Sequence, residues 1–436
     1  MTSLKKLIAV LAVSLPLAAT AQQAAPPAAP LYQWYGTLNL NMQYIEVSKP
    51  TSPNPGLPFS AAGAPRNMTG RFALSTDSSN IGIRGTADTN VAGVGVVYQC
   101  ETSANLDGDA VSGICNRNSR IGLSSGYGTL FYGNWDSPYK ALLYGTKADD
   151  PFGNTDVYDA AAIIGSPGFY TRASGGRSTG GTTGNTLASF NQRAGNSIVY
   201  HSPKFQGVQL KAQYSANEYA NRASSIVPAL YSAGVNYDTG PISVAVAYER
   251  HDDYASFANL AALVPTVPAV SHHTTDQGVK AGLGYELGTS AGTLTVGAQG
   301  EWLQYAMSDT SKVATGAFEN TSRFAYLVGA KFRTGSHEIR ARFMQALDQD
   351  VKIKGGTPSP NPGKDTGAMN YSLGYAFYLS SAAQLYAYGT FLDNAKKATY
   401  TFATGGPAQL TSTTAGEDWT AGANPFAAGL GMRYAF

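Results

Sequence analysis

Charge is scarce in this sequence. Of its 436 residues, 13% are Asp, Glu, Lys or Arg, about half the share of an ordinary soluble domain. The 30 basic and 28 acidic residues nearly cancel, so no net positive field gathers phosphates, and a nucleic-acid partner is excluded. There are only 2 cysteines. They cannot build a disulfide-dense scaffold or, with no histidine nearby, a zinc site. Past the leader, no apolar run reaches the roughly 20 residues that a membrane-spanning helix needs. No segment sustains an apolar stripe of period 3.6, so long amphipathic helices are excluded as well. Nucleophile elbow, HExxH and a phosphate-binding glycine loop are all missing. The Asp107-Gly108-Asp109 triplet lacks the full calcium-loop spacing. No catalytic residue, metal or cofactor is assigned.

What fills the chain is small and polar: 49 glycines, 27 tyrosines, and many Ser, Thr, Asn and Gln. Residues 1–21 read as a secretory signal peptide. Lys5 and Lys6 form the positive region, residues 7–17 the apolar stretch, and Ala19-Thr20-Ala21 the small-x-small cleavage site. Those two lysines account for the formal charge of +2, so the exported chain is neutral by count. Residues 22–436 are expected to form a single domain, after a short Ala- and Pro-rich lead-in.

That domain alternates with period two, the period of a strand. In Thr37-Leu38-Asn39-Leu40-Asn41-Met42-Gln43-Tyr44 every second residue is apolar. The same zigzag recurs in residues 208–214, 242–248, 279–285 and 426–436. A soluble sandwich alternates too, but three features separate the cases. Many apolar faces end in an aromatic (Tyr44, Tyr214, Tyr237, Tyr248, Tyr285, Tyr434, Phe436), as the girdles of membrane barrels do. The other face is Gly, Ser, Asn, Gln and Lys, suited to a wet interior. Short connections such as Asp88-Thr89-Asn90 and Thr334-Gly335-Ser336 alternate with long polar ones such as residues 137–194. Together these predict an all-β fold: a transmembrane antiparallel β-barrel of about 16 strands, with backbone groups satisfied between strands and no free edge. The strands begin near Tyr35, Ser78, Val94, Cys115, Thr129, Asn196, Gly207, Ala229, Ile242, Gln277, Thr293, Arg323, Glu338, Met369, Ala383 and Pro425. A barrel of that size is wide enough for an aqueous channel.

Several segments, in order along the chain, resemble the trimeric general porins of Gram-negative outer membranes in their beta-proteobacterial form. They are residues 79–86, with Asn80 where the family usually has Arg, then Asn116-Arg117 with residues 121–128, residues 196–203, and the terminal strand 429–436. The resemblance implies a homotrimer in the outer membrane, among lipid and lipopolysaccharide. It implies passive diffusion of small hydrophilic solutes and ions through a water-filled pore, and no enzymatic activity. It also implies that the third external loop folds inward, its acidic residues facing basic residues on the strands.

Parity then assigns the site. With Ile81, Ile83, Ile121, Leu123, Ile339, Phe343, Met432 and Tyr434 outward, Arg84, Arg120, Arg340, Arg342 and Arg433 point inward. Lys211, Lys280 and Arg323 fall inward as well, against only Glu249, Glu286 and Glu301. A charge facing lipid at mid-depth costs roughly 2–4 kcal/mol, which favours the inward reading. The acids of the constriction loop are Asp149, Asp150, Asp156 and Asp159. A Gly/Ser/Thr-rich second half carrying Arg172 and Arg177 follows as a more mobile excursion. The excess of inward bases predicts a mild anion preference. The alternative is a substrate-specific channel for a sugar or a carboxylate.

Cys100 closes the third strand and Cys115 opens the fourth, so an exported chain is expected to join them by a disulfide bracing the loop between. The last strand ends Tyr434-Ala435-Phe436. This resembles the signal read by the barrel-assembly machinery.

Overall fold

The computed structural model describes residues 32–48, 68–76, 78–107, 113–153, 160, 163–166, 190–216, 228–253, 273–308, 318–356, 363–398, 400, 402 and 422–436. The expected signal peptide lies outside them.

The strand segments are β1 (Gln33–Val47), β2 (Met68–Thr76), β3 (Asn80–Asp88), β4 (Val94–Ser103), β5 (Ser119–Ser125), β6 (Gly128–Asp136), β7 (Arg193–His201), β8 (Val208–Ala216) and β9 (Ala229–Thr239). They continue with β10 (Ile242–Asp252), β11 (Thr274–Thr289), β12 (Gly292–Met307), β13 (Phe318–Thr334), β14 (His337–Ala346), β15 (Asp350–Ile353), β16 (Ala368–Tyr378), β17 (Ala383–Asn394) and β18 (Pro425–Ala435). Neighbouring staves pair antiparallel all round the sheet, and β18 returns to β1 from Thr37↔Ala435 to Val47↔Pro425. The sheet is therefore closed. β2 and β3 both pair with β1, and β14 and β15 both pair with β13. Each of these couples is one interrupted stave, so the barrel has 16 staves, as the sequence predicts. At the first interruption the Ser79 hydroxyl takes over the ladder. It accepts from the Asn39 N–H at 2.7 Å and donates to the Asn39 carbonyl at 3.0 Å, so no backbone group is orphaned.

Alternation sets the two faces. Met42, Phe72, Ile121, Leu123, Val246, Leu283, Val328, Leu373, Leu430 and Met432 lie exposed on the outside. An apolar surface that continuous belongs in hydrocarbon, not water. The tyrosines form two belts. Tyr214, Tyr231 and Tyr248 sit toward the ends bearing the long loops; Tyr237, Tyr285, Tyr434 and Phe436 sit toward the short turns. Inside, Asn39, Asn41 and Gln43 are buried. Tyr386 Oη donates to Asn39 Oδ1 at 2.7 Å, and Tyr388 Oη donates to Gln43 Oε1 at 2.9 Å.

The connections 89–93, 126–127, 202–207, 240–241, 290–291, 335–336 and 379–382 share one end of the barrel. Gly240 and Gly335 take positive φ (56° and 55°) to turn the chain there. The longer connections share the other end. One of them carries the Cys100–Cys115 disulfide. The expected strand ends need correction: Cys100 sits within β4, while Cys115 precedes β5 in a left-handed conformation (φ 56°).

The interior is also not polar all round. Leu303, Ala325, Leu327 and Met344 face inward and are buried. They lie in apolar clusters with Tyr139, Leu142, Leu143, Phe152, Ile163 and Ile164 of the third long loop. The inner wall is dry where that loop covers it.

Candidate functional site: the lumen and its inward loop

The third long loop leaves β6 at Asp136. Ser137 caps the short helix α1 (Pro138–Ala141): its side chain accepts from the Lys140 N–H, and Pro138 starts the first turn. The chain then crosses the inside of the barrel along a track of glycines. Leu142 lies over Gly234 of β9, and Leu143 over Gly282 of β11. Lys147 and Ala148 lie over Gly284 of β11 and Gly297 of β12. Pro151 lies over Gly329 of β13, and Phe152 over Gly374 of β16. A Cβ at Gly284 would stand 2.1 Å from the Lys147 carbonyl carbon, and one at Gly329 would stand 2.6 Å from Pro151 Cδ. Backbone and ring can approach the wall this closely only because these side chains are absent.

Polar groups fasten the crossing. Lys147 Nζ meets Asp238 Oδ1 at 2.7 Å. Gln299 Nε2 donates to the Ala148 carbonyl at 2.8 Å. Asp150 is buried and binds Arg342 Nη1 at 2.5 Å, while accepting from the Phe152 N–H (3.1 Å) and the Ala160 N–H (2.8 Å). Arg342 also donates to Asn370 Oδ1 and Ser372 Oγ, at 2.9 and 3.0 Å. The strongest knot is Glu301 of β12. It accepts from Tyr139 Oη at 2.9 Å and from the Gly165 N–H at 2.8 Å. Arg323 Nη2 stands 3.3 Å away and Lys280 Nζ 3.8 Å away. Arg323 itself donates to the carbonyls of Ile163 and Ser166. One carboxylate thus ties the outgoing and returning arms of the loop to one place on the wall. Burial, then the neighbouring Glu301 charge, pushes the Tyr139 phenol well above its ordinary pKa, so it stays a donor.

The seven basic residues assigned to the lumen by parity fall into two groups, paired and unpaired. Lys280 and Arg342 hold the loop as described. Arg340 is held on its own wall by Glu338 at 2.6 Å, with Tyr378 and Gln384 each at 3.2 Å. Arg84, Arg120, Lys211 and Arg433 make no ion pair among the described residues. Arg84 bonds Gln33 Oε1 at 3.2 Å and lies 4.6 Å from the Tyr35 ring centroid. Arg120 lies 4.8 Å from the ring centroids of both Phe131 and Trp135.

Of the expected loop acids, Asp150 meets Arg342. Asp149 shapes the turn, accepting from the Gly145 and Asp150 N–H groups, both at 2.8 Å. Asp156, Asp159, Arg172 and Arg177 lie outside the described residues. Phe436 pairs with Gly36 through two backbone bonds of 3.0 Å, and its ring covers Gly36 on the outer face. Sequence reading names Glu301 and Arg323 only as inward charges. Their joint role as a loop anchor carries no local signal, because Tyr139 lies 162 positions from Glu301.

Comparison with known proteins agrees with this architecture. The family model described as Gram-negative porin matches residues 8–397. The major outer membrane protein P.IB of Neisseria meningitidis serogroup A is 29% identical over 251 residues, covering 57% of this chain and 60% of that protein. The match therefore spans about three fifths of the relative's own length. The anion-selective porin from Comamonas acidovorans superposes with a TM-score of 0.63 at 19% identity, covering 93% of this chain and 99% of that one. The trimer form of OmpT from Vibrio cholerae gives 0.54 at 14% identity, covering 93% and 99%. The chain belongs to the Gram-negative porin family, and is an outer-membrane β-barrel.

Proposed function

We propose that the chain is a general diffusion porin. It carries small hydrophilic solutes and ions passively through a water-filled lumen, with a mild preference for anions and no catalytic step. Residues 22–436 form the barrel once residues 1–21 are removed. The observation that supports the anion preference is the imbalance of free charge. Arg84, Arg120, Lys211 and Arg433 face the lumen without carboxylate partners among the described residues, whereas Asp150, Glu301 and Glu338 are each spent on a base and Glu249 meets His251, which leaves Glu286 as the one inward strand acid named above without an ion pair. A permeating anion replaces the missing partners for a short time, and a cation meets the net field of the wall. The constriction is the loop crossing at residues 142–152, with Asp149 and Asp150 on one side and the free bases on the other.

The working unit is a homotrimer among lipid and lipopolysaccharide. Its barrel is inserted by the assembly machinery reading the stripe that ends in Tyr434 and Phe436. Deleting Phe436 lowers the yield of heat-resistant trimer; an undiminished yield removes that role. The transport reading is tested in a planar bilayer with the purified protein under a KCl gradient. A reversal potential displaced toward the chloride equilibrium value is expected. One displaced toward the potassium value overturns the anion preference, and the absence of ohmic conductance overturns the porin reading itself.

A further inference from the structure

One of the four free bases has surroundings unlike those of a bare pore charge. Arg120 is set in an aromatic nest built from neighbouring staves. Phe131 and Trp135 of β6 both point inward, with ring centroids 4.9 Å apart and edges nearly perpendicular. The Arg120 guanidinium carbon stands 4.8 Å from each. His201 of β7 closes the group, 5.2 Å from Phe131 and 6.3 Å from Trp135. Its cross-strand partner on β8 is Lys211. Phe131 is fully buried, but Trp135, Arg120, His201 and Lys211 keep part of their surface open to the lumen. Next to Arg120 across the ladder stands Gly133, which leaves that place on β6 without a side chain.

A pore that needed only positive charge has no use for this arrangement. Aromatic rings backing a guanidinium hold its plane fixed while leaving the N–H edge to face solvent. That edge suits a carboxylate bidentately. Arg120 makes no hydrogen bond among the described residues; its Nε is buried, so the terminal guanidinium nitrogens are the donors left for a solute in the lumen. Beside it, the part-open Trp135 face offers a surface for a planar apolar body. Lys211 supplies a second positive charge on the same side of the lumen.

Resting on the diffusion reading above, we propose that Arg120, Trp135 and Lys211 form a subsite for aromatic carboxylates. The carboxylate docks on the Arg120 edge and the ring stacks on Trp135. Such solutes linger in the pore, while chloride and short aliphatic carboxylates pass.

The test uses the whole protein in planar bilayers with KCl as the carrier electrolyte. Sodium benzoate is compared with sodium cyclohexanecarboxylate, which has the same charge and nearly the same size but no π face. Benzoate is expected to reduce the chloride current at about threefold lower concentration than cyclohexanecarboxylate, the size of one aromatic contact. Trp135→Leu removes the difference between the two solutes. Trp135→Phe keeps a ring and restores much of the difference, which a merely structural role for Trp135 would not produce. Arg120→Gln weakens block by both. Heat-resistant trimer on gels shows which variants have assembled, and Trp135→Phe remains available if Trp135→Leu does not assemble. Equal block by the two solutes in the unaltered channel overturns the proposal, as does a benzoate advantage that survives Trp135→Leu. A channel that conducts KCl but ignores benzoate sinks the subsite alone; a barrel that conducts nothing sinks the porin reading.

Discussion

The covered and uncovered parts of the inner wall use charge in opposite ways. Under the third loop, between β9 and β16, the inward charges are paired and largely dry: Arg342 with Asp150, Arg323 and Lys280 with Glu301, Lys147 of the loop with Asp238. Nearer the short turns, Glu286 of β11 and Lys331 and Arg333 of β13 lie beyond that cover and make no ion pair among the described residues. On β3, β5, β8 and β18, Arg84, Arg120, Lys211 and Arg433 stand unpaired over water. The same residue types are structural on one side and available to solutes on the other. The difference follows from where the third loop lies. A covered base must have a partner, because an uncompensated buried charge is costly. An uncovered base is solvated, and the lumen can leave it free. Counting inward arginines therefore overstates the number available to an anion.

The comparison breaks most completely at Glu301. Glu301→Gln removes the charge facing Arg323 and Lys280 and weakens the tie to Tyr139 and Gly165. Loss of one partner from a buried pair costs on the order of 3–5 kcal/mol. The loop is expected to leave the wall for part of the time, giving larger and noisier single-channel currents and a lower trimer melting temperature. Quiet currents of unchanged size would show that the apolar contacts alone hold it. Next in size is Gly329→Val. Its Cβ would run into Pro151, and overpacking of this kind costs about 1–3 kcal/mol. The expected readout is an altered conductance with the barrel intact. A valine at Gly389, which has open space around its Cβ position, is the control that should change nothing.

The barrel was legible because its period is simple. Residues 37–44, 242–248 and 279–285 alternate cleanly, and parity alone places Arg84, Arg340 and Arg433 on the inner face. Reading is hardest where an inward position is apolar. The run Thr129-Leu130-Phe131-Tyr132 shows no alternation because Phe131 turns inward under Arg120 while Leu130 and Tyr132 face out. Around Leu385 the inward Tyr386 and Tyr388 are aromatic because they lie flat over Gly431 and Gly429. Both exceptions arise from contacts made across staves, which a local window does not hold. The loop anchors are harder still. Glu301, Arg323 and the glycines at 282, 284, 297, 329 and 374 acquire meaning only when Tyr139, residues 143–152 and residues 163–166 are laid against them. A period-two reading sees each glycine as one more small inward residue.

A milder perturbation compares free and tied bases directly. The double variant Arg84→Gln/Arg433→Gln removes two unpaired charges; Arg340→Gln/Glu338→Gln removes a base together with the acid that holds it at 2.6 Å. The first is expected to move the reversal potential clearly toward the potassium value. The second leaves the net charge of the lumen as it was, and a negligible shift is expected. A shift toward the potassium value as large as that of the first variant would mean that pairing does not hide a base from the permeating ion.

The smallest effect on transport is expected at the disulfide. Cys100 and Cys115 lie on the side of the barrel away from the loop crossing, and their bond closes a segment of 15 residues. Chain-entropy arithmetic assigns such a loop about 3 kcal/mol. That stabilisation acts on the connection between β4 and β5, where Arg117 already meets Glu101 at 2.8 Å and the Cys115 N–H donates to Thr102 Oγ1 at 2.9 Å. Because these contacts persist, Cys100→Ser/Cys115→Ser is expected to speed proteolysis within residues 104–118 while leaving conductance and reversal potential alone. A changed reversal potential in that variant would join this loop to the permeation path, and the free bases on β3 and β5 could no longer be read as a wall independent of the loop above them.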